Sequence, residues 1–192
     1  MKRQLIASIV IVSASVSVAG LTLAENDRFA LNAPNGIAFS EMRGYESWDV
    51  IGSSVTDDGG GCGSSPNPGC IKSIVGNPVM INALKAGIPS NGQLVPDGAM
   101  MAKIEWFKAR DPSLAYGATV PGKFMEVAFM MKDSKRFPQT DGWGYATLKY
   151  DADTDTFKAF AGEAPDYHKT ACHGCHTAVK SRDFVFTKYQ KR

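Results

Sequence analysis

The chain has 192 residues, 44% of them hydrophobic and 10% aromatic, with four cysteines and 21 basic against 19 acidic side chains. That composition excludes a disordered tail and suits one or two compact domains. If Lys2 and Arg3 leave with a leader, 19 basic groups face 19 acidic ones, which argues against a basic surface built for nucleic acid.

Residues 1–24 read as a secretory leader. Lys2 and Arg3 precede an uncharged stretch from Leu5 to Ala24, and small residues lie at the minus-three and minus-one places before Glu25. An uncleaved anchor is the other reading, since about 20 apolar residues can span a bilayer, but Ser13, Ser15, Ser17 and Gly20 interrupt the run. Cleavage after Ala24 would leave residues 25–192 as a single domain in the periplasm or the secreted space beyond it.

An oxidising compartment makes a local disulfide the plain reading of Cys62 and Cys70, which bracket a Gly, Ser and Pro-rich loop. Next, Asn77-Pro78 predicts the start of a short helix through Lys85 that stops at Gly87. Pro96-Asp97-Gly98 is a turn. Met100 to Phe107 then reads as a strand, with Phe124 to Met131 as its antiparallel neighbour across a loop at Gly117–Gly122. Gly142-Trp143-Gly144-Tyr145 opens a third strand through Tyr150. Asp151, Asp153 and Asp155 alternate like a calcium loop, but Thr156 replaces the glycine and Gly162 the bidentate glutamate such a loop needs, so the segment reads as a polar hairpin turn.

The chemistry is carried by Cys172-His173-Gly174-Cys175-His176, the Cys-x-x-Cys-His attachment sequence of c-type haem. Two thiols one helical turn apart can add to the two vinyl groups of one porphyrin, and the next histidine then lies under the iron. Cys172 and Cys175 are thus the expected tethers and His176 the iron ligand. The alternatives are a thioredoxin-like redox pair, which belongs after the first strand of a βαβ unit, or zinc, which needs two more ligands with their own spacing.

The sixth iron position has few candidates. His173 falls at a variable place in the motif and is expected to be an exposed polar residue. His168 is only eight residues before His176, too near to reach the opposite haem face readily. Met42, Met80, Met100, Met101, Met125, Met130 and Met131 sit mostly in apolar runs and read as core filler. Plain electron transfer would need one of these methionines, or His168, on the iron.

Sheet first and haem last is a layout that resembles the cytochrome P-460 family and its relatives, the cytochromes c′-beta. The resemblance spans nearly all of the mature chain. It rests on Tyr45-Glu46-Ser47-Trp48 with Ile51-Gly52, then Pro96-Asp97-Gly98 followed by Lys103, then Met131-Lys132-Asp133-Ser134 with Gly142-Trp143-Gly144-Tyr145, and last Cys172 through Asp183-Phe184-Val185-Phe186-Thr187. It implies an α+β fold, predominantly antiparallel sheet with flanking helices and a C-terminal haem segment. It also implies a homodimer and one covalently attached haem c whose iron has an open distal side. Lys103 matches the lysine that is bonded to the porphyrin in cytochrome P-460, and Lys72 falls where the family has a basic residue near the pocket.

Strand periodicity puts Met101, Lys103 and Glu105 on one face, so Lys103 could also snorkel or pair with Glu105 or Glu126. The family's distal acid aligns with Ala128, leaving Glu126, two residues earlier on the same face, as the candidate proton carrier. Two functions follow. In one, hydroxylamine is oxidised to nitrogen oxides and a periplasmic cytochrome takes the electrons, with Lys103 and Glu126 in catalytic roles. In the other, an apolar pocket around Ala128 binds nitric oxide or carbon monoxide without turnover.

Overall fold

The computed structural model describes residues 28–33, 37–57, 62, 68–160 and 166–190. The expected leader lies outside them, as does most of the loop between the first two cysteines. Among the described residues, no helix is long and apolar enough to cross a membrane.

Six strands form one antiparallel sheet in chain order: β1 (Asp49–Thr56), β2 (Cys70–Gly76), β3 (Met100–Arg110), β4 (Thr119–Lys132), β5 (Trp143–Asp151) and β6 (Thr156–Ala159). The expected α+β class with a dominant antiparallel sheet is what the chain adopts. The three strands read from sequence are β3, β4 and β5; β3 and β4 run longer than their apolar patterns, and β5 is displaced by one residue. The expected loop at Gly117–Gly122 is a correction: the turn ends with Asp111 N–H donating to the Ala118 carbonyl at 3.1 Å, and Pro121 and Gly122 lie inside β4. They sit where the β3–β4 register slips between Trp106 and Lys108, and a Cβ on Gly122 would come within 2.8 Å of the Ala109 Cβ. Such residues mark a bulge as readily as a turn.

β1, β2 and β6 were not legible as strands. β1 is an edge strand with mixed burial, β2 carries Lys72 and Ser73 among its apolar residues, and β6 has four residues. The polar segment after Asp151 does join β5 to β6 as a hairpin, with Tyr150 Oη donating to Asp155 at 2.6 Å and Lys158 pairing with Asp151 at 3.0 Å.

Helix α1 (Pro78–Lys85) follows its signals closely. The Asn77 side chain accepts from Met80 N–H at 3.0 Å and from Met100 N–H at 3.1 Å, so one amide caps the helix and ties it to β3. At the other end Ile88 N–H reaches the Ala83 carbonyl and Gly87 N–H the Leu84 carbonyl, both at 3.0 Å, with Gly87 at φ +84°. That paired closure needs a left-handed residue, which glycine supplies without a Cβ clash.

The two sheet faces differ in kind. One packs Val75, Ala102, Val127, Phe129, Ala146 and Leu148 against N-terminal turns that bring Phe39, Met42 and Tyr45 into an aromatic cluster. Each such side chain contributes about 1.5–3 kcal/mol on burial. On the other face Ile74 and Met101 join a second apolar cluster with Trp143, Tyr145, Phe184 and Val185, and beside it the polar residues of β2 to β5 look into a cavity.

Cys62 and Cys70 form a disulfide, both buried, at the start of β2. Replacing both with serine is expected to lower unfolding free energy by about 2–3 kcal/mol, because the unfolded chain regains the loop's freedom. The midpoint of denaturant unfolding checks this, and an unchanged midpoint contradicts it.

Candidate functional site

The cavity measures about 670 Å³, within the range of about 300–1,000 Å³ typical of cofactor sites. Its floor is the polar face of β2 to β5, and strand register orders the side chains in rows. Ile74, Lys103, Ala128 and Thr147 stand opposite one another across four strands, and Lys72, Glu105, Glu126 and Lys149 form the next row. Facing this floor are Tyr167, Cys172, Cys175, His176, Val185 and Phe186.

The facing wall is a helical run of three kinds of turn: π over His168–His173, α over Gly174–His176 and 3-10 over Thr177–Arg182. Asp183 (φ +45°) and Phe184 (φ +63°) then reverse the chain in the left-handed region, a strained conformation for non-glycine residues that surrounding contacts must hold. Asp183 supplies those contacts. Its carboxylate accepts from Lys132 Nζ at 3.0 Å on both oxygens, from Val95 N–H at 2.8 Å and from Trp143 Nε1 at 3.3 Å, and Lys132 also donates to the Asp141 carbonyl at 2.9 Å. Lys132 and Asp183 are each about 4% exposed.

The reversal delivers the Phe184 carbonyl to His176 Nδ1 at 2.6 Å. A carbonyl only accepts, so Nδ1 carries the proton and Nε2 is left with its lone pair. Burial also pushes the His176 pKa down, opposed in part by the Phe184 hydrogen bond, and favours the neutral ring that a metal ligand needs.

Both attachment cysteines are free thiols on the cavity wall. Burial raises the Cys172 thiol to about 11, so it is not the low-pKa thiolate of a disulfide oxidoreductase. Among the described residues no cluster of three or more His, Cys, Asp and Glu is placed to hold a metal ion. Two thiols beside a histidine that presents Nε2, in a cavity of this size, fit a haem, which Cys172 and Cys175 would tether and His176 would ligate.

The structure brings Lys103, Glu126, Ala128, Cys172, Cys175 and His176 into this one cavity. Lys103 makes an ion pair with Glu105 at 2.9 Å, the pairing considered from sequence, while Lys149 pairs with Glu126. Lys72 lines the cavity as well and stands 3.4 Å from Glu105. His173 requires correction: it is 8% exposed, with Nδ1 3.2 Å from Tyr145 Oη and Nε2 3.3 Å from Asp141. The helical run lies flat on the end of β5, so the residue between the two cysteines turns inward. His168 is buried too, and it is not among the cavity residues. Of the methionines, Met42, Met80 and Met131 are core filler, but Met125 and Met130 line the cavity instead.

Sequence reading missed Tyr145, Lys149 and the depth of Glu105. Tyr145 was quoted only within a motif, although its place on β5 sets it over the His176 ring, with centroids 5.2 Å apart. Lys149 follows it at a spacing of four, an even step along a strand, which is the signal that could have found it.

Replacing Asp183 with alanine strands the Lys132 ammonium in the interior and is expected to cost about 3–5 kcal/mol. Denaturant unfolding of the variant measures it, and a loss below 1 kcal/mol contradicts the role given to this ion pair.

The family described as Cytochrome P460 matches residues 42–187. No curated protein matches the chain. The matched span begins in the turns that cap the aromatic core, ends at the cavity wall and includes every residue of the attachment motif. The chain belongs to the cytochrome P460 family, c-type haem proteins whose cofactor is haem with its iron.

Proposed function

We propose that the chain is an exported, periplasmic mono-haem cytochrome that oxidises hydroxylamine to nitrogen oxides and passes the electrons to a periplasmic cytochrome. The observation that carries this reading is the opposition of two groups across one cavity: Cys172, Cys175 and His176 on one wall, Lys103 and Glu126 on the other. Haem held by Cys172, Cys175 and His176 would supply an iron for the substrate and a sink for electrons.

The residues do the rest. Phe184 holds His176 in the tautomer that presents Nε2. Hydroxylamine sheds protons as it is oxidised, and Glu126 is the cavity-lining carboxylate that receives them. Burial, the largest influence on Glu126, raises its pKa, but its neighbours Glu105 and Lys149 outweigh it and hold the carboxyl below its usual range, an anion paired with the Lys149 ammonium. Lys103 projects from β3 into the same space and is the side chain we assign to a covalent bond with the porphyrin.

One observation favours a second reading. Ala128, Met125, Met130 and Phe160 give the cavity a large apolar share, which suits capture of nitric oxide or carbon monoxide over a polar substrate. We also infer that the protein is a homodimer, by its family resemblance alone.

The test is the absorption spectrum of the reduced holoprotein beside that of Lys103→Ala. A strongly red-shifted band that reverts to an ordinary five-coordinate c-type spectrum in the variant is expected, together with hydroxylamine turnover that drops by about 10²-fold or more in Glu126→Gln. An ordinary high-spin spectrum in both proteins, with no turnover, favours gas binding. His176→Ala should abolish the native iron spectrum, and an unchanged one overturns the haem assignment.

A further inference from the structure

The segment that carries the attachment motif and the turn after it is one-sided in charge. From Tyr167 to Gln190 it holds Lys169, Lys180, Arg182 and Lys188 against a single acid, Asp183, which is buried and paired with Lys132, whereas the whole chain is nearly balanced at 21 basic to 19 acidic side chains. Lys169, Lys180 and Lys188 are exposed, and none has an ion-pair partner among the described residues. Exposed acids lie only at its flanks: Asp166 just before the π turn, and Asp49 at the start of β1, where Gln190 N–H meets the Ile51 carbonyl at 3.2 Å.

An exposed aromatic ring stands among these cations. Phe186 is 45% exposed, yet it also lines the cavity and meets the His176 ring edge-on, with centroids 4.9 Å apart. Arg182 donates to the Phe186 carbonyl at 2.9 Å and to the Thr187 carbonyl at 3.4 Å, which fixes a guanidinium beside the segment that bears the ring. The turn of Lys180 is tied to the same segment, with Asp183 N–H on the Lys180 carbonyl at 3.0 Å and Phe184 N–H on the Val179 carbonyl at 3.2 Å. An apolar centre with a rim of like charge has the make-up of a transient protein interface: the ring supplies desolvated contact and the rim steers a partner of opposite sign. Here the ring also touches the expected iron ligand, so two side chains join the protein surface to the redox centre.

We propose that Phe186, rimmed by Lys180, Arg182 and Lys188, is the face on which the electron acceptor docks, and that this acceptor is a redox protein presenting carboxylates around its own cofactor. Each encounter moves one electron: the reduced haem returns to the ferric state and the acceptor is reduced by one electron, with no bond or proton exchanged at the interface. The proposal deepens the electron-transfer half of the function above and rests on it.

Stopped-flow mixing of the holoprotein, reduced chemically rather than by hydroxylamine, with an oxidised acidic blue-copper protein tests this. The second-order rate should fall as salt is raised, because opposite charges are screened, and should rise with salt when the acceptor is a basic c-type cytochrome. Since 19 basic groups face 19 acidic ones in residues 25–192, such a dependence reports a local field rather than net charge. Lys180→Glu combined with Lys188→Glu should slow the acidic acceptor about 10-fold or more at low salt and leave haem reduction by hydroxylamine unchanged. Phe186→Ser, with its haem absorption intact, should slow it at low and high salt alike. A native rate that is flat in salt overturns the docking face whether or not the variants fold, and so do variants that react at the native rate. A native dimer that falls to monomers in Phe186→Ser, measured by sedimentation, overturns it as well, since the ring then belongs to a contact between copies. Failure of hydroxylamine to reduce the ferric protein would sink the proposed oxidation and leave these rates as they are, so the two failures are distinguishable.

Discussion

The buried ion pair between Lys132 and Asp183 is the constraint on which the site depends. Lys132 closes β4, Asp183 follows the haem-attachment segment, and 51 residues separate them in sequence. An isolated charge at either position would be costly, and an ion pair alone would roughly break even against its desolvation. What makes this one work is that the Asp183 oxygens also accept from Val95 and Trp143, and Lys132 also donates to the Asp141 carbonyl. With Asp183 pinned, the left-handed reversal at Asp183 and Phe184 is held, and the Phe184 carbonyl lies where it selects the His176 tautomer. The orientation of His176 thus traces back to Lys132 at the end of β4.

A sheet of six consecutive antiparallel strands can be wet on one face, and this chain uses that freedom. The apolar face is filled from the N-terminal side by Phe39, Met42 and Tyr45, so the other is free to carry lysines and glutamates into a cavity. Alternation along β3 and β4 then does two things at once. Ala102, Val127 and Phe129 enter the core, while their neighbours Lys103, Glu126 and Ala128 enter the site, and a slip of one residue in register would exchange the two sets. Mechanism and stability are coupled here through the pleat.

Much of the site was legible because its chemistry is local. Cys172, Cys175 and His176 lie within five residues, and the spacing alone names a two-thiol, one-histidine attachment. Helix α1 was legible for the same reason, since Asn77, Pro78 and Gly87 act within one or two turns. His173 was misread because nothing local says which way a residue between the two cysteines points. It turns inward because Tyr145 and Asp141, from β5 and the turn before it, stand below it. β1 and β2 went unseen because their small and charged residues lack clean alternation, and they are strands by virtue of pairing with each other and with β3.

Sequence by itself determined the attachment motif, the helix with its caps, the central strands and the family to which the chain belongs, because each rests on side chains acting within a few residues or on motifs in a set order. Only the tertiary structure decided that Glu105 lies opposite Glu126 and between Lys72 and Lys103. Cross-strand register brings together residues up to 77 positions apart, as Lys72 and Lys149 show at the two ends of their row, and that register is set by the whole sheet. A glutamate met in sequence is an ordinary surface charge; Glu105 becomes a buried one because the sheet sets it between Lys72 and Lys103 and shuts water out.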